Sequence, residues 1–127
     1  FYTTVQGEPE GAFELLSRLA ELGINLLAFS AVPVGPLRTQ LTLFPEESNM
    51  LRHVAGQANF ALDGPHPAIL VQGDDRLGAL AEIHRVLFDA GVDVYSSTAV
   101  TSGEGSYGYL VYVKPDAVTR AVAALEA

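Results

Sequence analysis

The amino-acid sequence predicts an α+β fold made of two tandem ferredoxin-like βαββα(β) units, whose antiparallel sheets carry helices on one face. The chain has 127 residues, of which 49% are apolar, and this length suits one ordinary domain or two very small ones. One segment occurs twice, beginning at Val5 and again 66 residues later at Val71. In both copies a helix period alternates with a strand period, which is typical of helices layered on an antiparallel sheet.

The two copies share the same series of turns. Val5–Leu26 and Val71–Val94 each read as a strand, a glycine turn, an acidic loop with a second glycine, a helix, a third glycine and a second strand. The third glycine, Gly23 or Gly91, stands where a left-handed helix C-cap is expected. We therefore predict a first domain over residues 1–62, a linker over 63–67 and a second domain over 68–127.

The remaining elements follow from β-prone runs and turn signals. A third strand follows a turn in each copy, and a second helix then begins just after Pro45 or Pro115, where a proline is tolerated. These helices are predicted from Glu46 to about Ala58 and from Asp116 to about Glu126. The predicted strands are Tyr2–Gln6, Ile24–Ala31 and Thr39–Phe44 in the first copy, and Ala68–Gln72, Val92–Thr101 and Tyr107–Val113 in the second.

The first helix of each copy has one apolar stripe, with spacings of three, four and three residues, as expected for a helix with one buried face. The stripes are Ala12, Leu15, Leu19 and Leu22 in the first copy, and Leu80, Ile83, Leu87 and Ala90 in the second. One copy of about 60 residues buries little core alone, so we expect the copies to pack together with pseudo-two-fold symmetry.

A fourth strand would complete each ferredoxin-like unit. We predict a short one near Asn59–Leu62 in the first copy. The second copy leaves no room for one before Ala127, so we expect a strand from elsewhere to fill that edge, or the edge to stay open. Strand Tyr107–Val113 carries apolar residues on both faces, which favours a partner interface and a homodimer.

Charge and composition exclude several classes of function. Lys and Arg total 7 against 15 Asp and Glu, and the net charge of −8 disfavours binding to nucleic acids and anionic membrane surfaces. The absence of Cys excludes disulfides, thiolate metal sites and cysteine nucleophiles. No apolar run is long enough to span a bilayer, and the first residues do not form a signal peptide. We expect a cytoplasmic protein without a cofactor.

No catalytic or metal-binding pattern is readable from the spacing of residues. Gly73 and Gly78 have the spacing of a phosphate-binding loop, but Ala79 and Leu80 follow where Lys and Ser or Thr are needed. The three histidines, His53, His66 and His84, share no metal-ligand spacing. We therefore expect neither a bound metal nor an enzyme.

The repeated motifs resemble those of ACT domains, in which a strand leads to a D-x-x-G or x-P-G loop, then a helix, then G-[IV]-N-[IV] at the start of strand two. The first copy supplies EPEG and Gly23–Leu26, and the second supplies DDRLG and Gly91–Val94. Strand Tyr107–Val113 resembles the third strand of that family. The resemblance covers nearly the whole chain twice. It implies a tandem ACT-domain protein, and such domains commonly bind amino acids or other small metabolites where two of them meet.

The resemblance also implies where ligands bind, namely between the first loop of one domain and the second strand of its neighbour. One site would use Gly73–Ala79 with Asn25 and Leu26, and the other Gly7–Ala12 with Asp93 and Val94. In the serine-binding branch of the family, the positions of Gly73, Asp75 and Asp93 carry His, Asn and Asn, so this sequence does not predict serine. The candidate ligand-binding residues are Glu8, Glu10, Gly11, Asn25, Leu26, Asp74, Asp75, Arg76, Gly78, Ala79, Asp93 and Val94.

The chemistry of these residues suits a zwitterion. The helix after Asp75 exposes backbone N–H groups to a ligand carboxylate, and the acidic or amide side chains suit a ligand ammonium group. A free amino acid is therefore the predicted ligand. Asp75 also has a structural interpretation as the cap of that helix, and Asn25 and Asp93 have one as turn residues.

Two other functional classes stay open. A protein–protein assembly module without a ligand is the first alternative. The second is a hydrolase, because VQG followed by Arg76 resembles the acylphosphatase phosphate loop V-Q-G-x-x-[FY]-R. In this chain, however, the arginine comes one position early, after Asp74 and Asp75, and the loop of the first copy has no arginine.

Overall fold

The computed structural model describes residues 1–6, 9–58 and 61–127. The chain forms two compact units, Phe1–His66 and Pro67–Ala127. Each unit is a three-stranded antiparallel sheet with helices against one face, which confirms the predicted α+β fold. Within the described residues, no helix combines the length and the apolar character needed to cross a membrane.

The first unit has the strand order β1-β3-β2. Its helix α1 and helix α2 cover a core of leucines from the helices and from β3, among them Leu19, Leu41, Leu43 and Leu51. The elements are β1 (Tyr2–Gln6), α1 (Pro9–Glu21), β2 (Leu26–Pro33), β3 (Arg38–Pro45) and α2 (Ser48–Ala58).

The second unit repeats this arrangement with the order β4-β6-β5. Residues on one face of β6 alternate with those on the other, so that Tyr109, Val111 and Val113 are buried beneath the helices. The elements are β4 (Ile69–Asp74), α3 (Ala79–Asp89), β5 (Val94–Thr101), β6 (Ser106–Val113), a 3₁₀ turn (Pro115–Ala117) and α4 (Val118–Glu126).

The apolar stripes of α1 and α3 are buried at their centres and exposed at one end. Leu19 and Leu87 lie in the cores, as predicted. The prediction is wrong for Leu22, which is 38% exposed, and for Leu80, which is 40% exposed. Leu22 follows Glu21, the last residue of α1, and Leu80 is the second residue of α3.

Both helices end as the glycine positions predict. Gly23 and Gly91 have φ values of 78° and 70°, in the left-handed region that favours glycine. The next residue then turns back to the helix: the N–H of Val92 donates to the carbonyl of Leu87 at 2.9 Å, and Ile24 does the same in the first unit. This closure is a Schellman motif, and it explains why the second strands begin two residues later than predicted.

The second helices also begin later than predicted. The N–H of Glu46 donates to the carbonyl of Asn25 at 2.9 Å, so Glu46 is still tied to the sheet and α2 begins at Ser48. In the second unit the N–H of Ala117 donates to the carbonyl of Lys114 at 2.8 Å. That bond closes a 3₁₀ turn before α4 starts.

The fourth-strand prediction concerns the outer edges of β1 and β4. Asn59 and Phe60 lie outside the described residues, but Asp63 pairs with Tyr2 through two backbone hydrogen bonds of 2.8 and 2.9 Å. An extended segment therefore lies at this edge of the first sheet. In the second unit, the described residues place no strand of that unit beside the outer edge of β4.

Candidate functional site

An open groove of about 640 Å³ lies at one end of the second unit. Because the sheet is antiparallel and α3 runs back across it, the end of β4, the start of α3, the end of β5 and the start of β6 all meet there. The groove is lined by Asp75, Arg76, Leu77, Gly78, Ala79, Leu80, Ala81, Ala99, Val100, Thr101 and Tyr107.

The loop between β4 and α3 is held by backbone bonds at both ends. The N–H of Asp75 donates to the carbonyl of Gly105 at 2.9 Å, which ties the loop to the turn between β5 and β6. The N–H of Ala79 donates to the carbonyl of Arg76 at 3.1 Å and closes a turn. Gly78 completes that turn with a φ of 82°, and α3 begins at the next residue.

This turn shows that Asp75 does not cap α3, contrary to the structural interpretation. Gly78 occupies the N-cap position, and no side chain accepts a hydrogen bond from the first turn of α3. The turn from Arg76 to Ala79 separates Asp75 from the helix by three residues. Within the described residues, the Asp75 carboxylate has no hydrogen-bond partner, so it is available to a ligand.

Arg76 is the one basic residue that lines the groove. Its guanidinium makes no ion pair or hydrogen bond with any described residue. Arg85 on α3 differs, since it bonds Glu82 at 2.6 Å and Asp89 at 3.0 Å. The hydrogen bond from Arg85 and then its charge lower the pKa of Glu82, and the charge of Arg76 has a smaller effect in the same direction. Arg76 is thus an exposed cation without a direct partner.

Tyr107 closes the base of the groove. It pairs with Gly73 of β4 across the sheet, and its ring lies over that glycine. A Cβ atom at position 73 would stand 3.1 Å from Cε1 and 3.2 Å from the hydroxyl oxygen of Tyr107. The tyrosine therefore fills the space where a side chain at position 73 would lie. It also explains why β4 continues through Gly73 to Asp74, where the sequence predicts a break.

One wall of the groove is hydrocarbon. It contains Leu77 of the loop, the first turn of α3 from Ala79 to Ala81, and Ala99 and Val100 of β5. Leu77 is fully exposed and Leu80 is partly exposed, so this surface is covered by nothing in its own unit. The sequence indicated Ala79, and Leu77 within the range Gly73–Ala79, but neither Leu80 nor Ala81. It also did not indicate Ala99, Val100, Thr101 or Tyr107, because the place of these four in the groove depends on the register between β4, β6 and β5.

The predicted site residues of the second unit fall at its two ends. Asp75, Arg76, Gly78 and Ala79 line the groove, and Asp74 ends the adjoining strand. Asp93 and Val94 instead lie where β5 begins, and the first residue of β5 that lines the groove is Ala99, five residues after Val94. At about 3.3 Å per residue this separation is roughly 17 Å, so one amino acid cannot contact both Val94 and the groove within this unit.

In the first unit, Asn25 has a structural partner. Its side-chain amide donates to Oε2 of Glu46 at 2.8 Å and so reinforces the backbone bond between the same two residues. Leu26 and Gly11 are half-buried. Glu8 lies outside the described residues, and the structure does not describe the side chain of Glu10. The sites that the resemblance implies between one domain and the other stay predictions.

The first unit has a second open hollow of about 640 Å³, at the edge where Asp63 pairs with Tyr2. Among the described residues, Asp63 is the one charged residue that lines it, and that carboxylate lies 3.2 Å from Nε2 of His66. This hollow therefore offers no cation to an acidic ligand. Within the described residues, no three His, Asp or Glu side chains gather closely enough to hold a metal ion.

The same fold occurs in solved structures. Protein BT0572 from Bacteroides thetaiotaomicron aligns with a TM-score of 0.80 at 14% identity, covering 98% of this chain and 83% of that one. The ligand-free regulatory subunit of aspartate kinase from Thermus thermophilus aligns with a TM-score of 0.59 at 15% identity, covering 98% of this chain and 87% of that one. At these identities the likeness shows that the chain shares the fold of these two proteins. No family model and no curated protein matches the chain.

Proposed function

We propose that this chain is a non-catalytic regulatory module of the cytoplasm that binds a small molecule in the groove of its second unit, and that the ligand is an amino acid. The observation that carries this proposal is the presence in the groove of a cation, Arg76, and a carboxylate, Asp75, neither of which has a hydrogen-bond or ion-pair partner among the described residues. A regulatory subunit of aspartate kinase shares the fold, which supports a regulatory role.

The two charged residues suit the two ends of a zwitterion. The planar guanidinium of Arg76 can donate two parallel hydrogen bonds to a carboxylate. The Asp75 carboxylate accepts from an ammonium group. The hydroxyl of Tyr107 has no hydrogen-bond partner among the described residues and offers a further contact at the base of the groove. Such a site binds an α-amino acid through the groups that every amino acid has.

The groove supports binding better than hydrolysis. A phosphate-binding loop needs convergent donors, whereas here Asp74 and Asp75 stand immediately before Arg76 and repel a phosphoryl group. No histidine, which would serve as a general base, lines the groove. The acids and the single arginine therefore favour a neutral zwitterion over a phosphate ester.

Binding is expected to stabilise the fold in proportion to ligand saturation. In a thermal-shift and calorimetric panel of the twenty amino acids, at least one should raise Tm, by an amount equivalent to about 2.7 kcal/mol at a hundredfold excess over Kd. Arg76→Gln should abolish the shift because the carboxylate loses its partner. Lys114→Gln is the matched control, since it removes one exposed positive charge outside the groove.

The same titration distinguishes the three classes of function. Saturable heat without product supports the regulatory module. Turnover of an acyl phosphate that is lost in Arg76→Ala contradicts it in favour of a hydrolase. If no amino acid shifts Tm at millimolar concentration, the sensor proposal is wrong and the assembly module becomes the better interpretation.

A separate observation supports the alternative function, a protein–protein assembly module. Strand β5 is an edge strand of its sheet and carries no charged residue and no proline, although its register shifts between Val94 and Ser96. From Ser96 onward the strand therefore lacks the charges and prolines by which exposed edges often avoid pairing. Tyr95 is 65% exposed, and its ring lies 6.0 Å from that of Tyr112, between ring centroids. This apolar surface is of the kind that protein partners cover. We propose that the chain forms a homodimer.

Self-association should be visible by sedimentation velocity. The chain is expected to sediment as a dimer at tens of micromolar, and Tyr95→Lys should shift it toward monomer because a charge is placed on the apolar surface. Thr119→Lys on α4 is the matched control, since that residue is also exposed. A monomer at every concentration tested would contradict the dimer proposal without affecting the ligand proposal.

A further inference from the structure

The hydrocarbon wall of the groove indicates which side chain the ligand carries. Resting on the proposed function, we infer that the bound amino acid has an aliphatic side chain of the size of valine, leucine or isoleucine. The wall is made of Leu77, Ala79, Leu80, Ala81, Ala99 and Val100.

Charge complementarity excludes amino acids with charged side chains. The groove has one positive residue, Arg76, and one negative residue, Asp75. Both are needed by the carboxylate and the ammonium group that all amino acids share. A third charge, on the side chain of lysine or aspartate, would find no further charged partner among the described residues that line the groove. The ligand side chain is therefore uncharged.

The part of the groove lining beside Arg76 and Asp75 favours a ligand with a hydrocarbon side chain. Leu77 and Leu80 flank the groove and are exposed, although each would gain from being removed from water. The three alanines of the wall carry no polar side-chain atom, so a ligand hydroxyl or amide held against them gains no hydrogen bond from them. An aliphatic group instead covers both leucines and removes apolar surface from water.

Small side chains line the part of the groove between α3 and β5. Alanines at positions 79, 81 and 99 leave a shallow hollow between α3 and β5. Tyr107, packed over Gly73, closes the base of that hollow. A branched aliphatic side chain fits this hollow between helix and strand.

Calorimetry on the full chain tests the inference with free amino acids as probes. Leucine, isoleucine or valine should bind at least about tenfold more tightly than alanine and serine, which is the discrimination that a few methylene groups provide in an apolar pocket. Leu80→Gln should weaken leucine binding about tenfold and leave alanine binding unchanged. Phe88→Gln is the matched control on the same helix, because Phe88 is exposed and does not line the groove.

The outcomes separate the inference from the proposed function. If serine, aspartate, lysine or an aromatic amino acid binds more tightly than leucine, the inference is wrong while the proposed function stands. If no amino acid binds, the proposed function itself fails. Should Leu80→Gln not fold, as judged by circular dichroism, Ala81→Gln replaces it on the same wall and has the same expected effect. Equal loss of leucine and alanine binding in the folded variant would also contradict an aliphatic pocket.

Discussion

Leu87→Ala is expected to lower the free energy of unfolding of the second unit by about 2–5 kcal/mol. Leu87 lies on α3 with 1% of its surface exposed. It packs in a core with Ile83, Val111 and Ala121. Removing its branched side chain leaves a cavity in a core built by only about 60 residues, which has few other contacts to compensate. Urea unfolding followed by circular dichroism measures this loss as a lower midpoint.

The neighbouring residue provides a matched control. Phe88 follows Leu87 on the same helix but is 82% exposed. Phe88→Ala removes a larger side chain and should nevertheless change the free energy of unfolding by no more than about 0.5 kcal/mol. A cost for Phe88→Ala as large as that for Leu87→Ala would mean that α3 buries a different face, and would contradict the packing described above.

Gly78→Val should destabilise the second unit by about 1–3 kcal/mol and also displace the start of α3. Gly78 has a φ of 82°, a conformation that a β-branched residue adopts only with strain. No atom lies within 4 Å of the position that a Cβ atom would take, so the cost comes from the backbone and not from a clash. Thermal unfolding measures the loss of stability, and the amino-acid panel then reports whether the groove survives.

Two further glycine variants test whether backbone strain causes the loss of stability in Gly78→Val. Gly78→Asn should cost less than Gly78→Val, because asparagine tolerates the left-handed region. Gly56→Ala should instead stabilise the protein by about 0.5–1 kcal/mol, since Gly56 lies inside helix α2 with free space around it. Equal costs for valine and asparagine at position 78 would show that backbone strain is not the cause.

The sequence alone determined the fold class, because that information is local and is repeated. The apolar spacing of α1 and α3 identifies the face that is buried around Leu19 and Leu87. Gly23 and Gly91 mark the helix ends because few other residues adopt a positive φ. Each signal is weak in one copy. Their recurrence in the same order makes the prediction of two α+β units firm.

The tertiary structure decided the composition of the groove. From the sequence, Asp75 is interpreted as a helix cap or as a ligand residue. It is available to a ligand because Gly78 occupies the N-cap position and the turn before it separates Asp75 from the helix. Tyr107 and Ala99 line the groove because of the register in which β4, β6 and β5 pair. Strand register depends on contacts between residues far apart in the chain, and a shift of one residue would turn Tyr107 to the other face of the sheet. Local sequence determines which elements form, whereas long-range pairing decides which side chains meet.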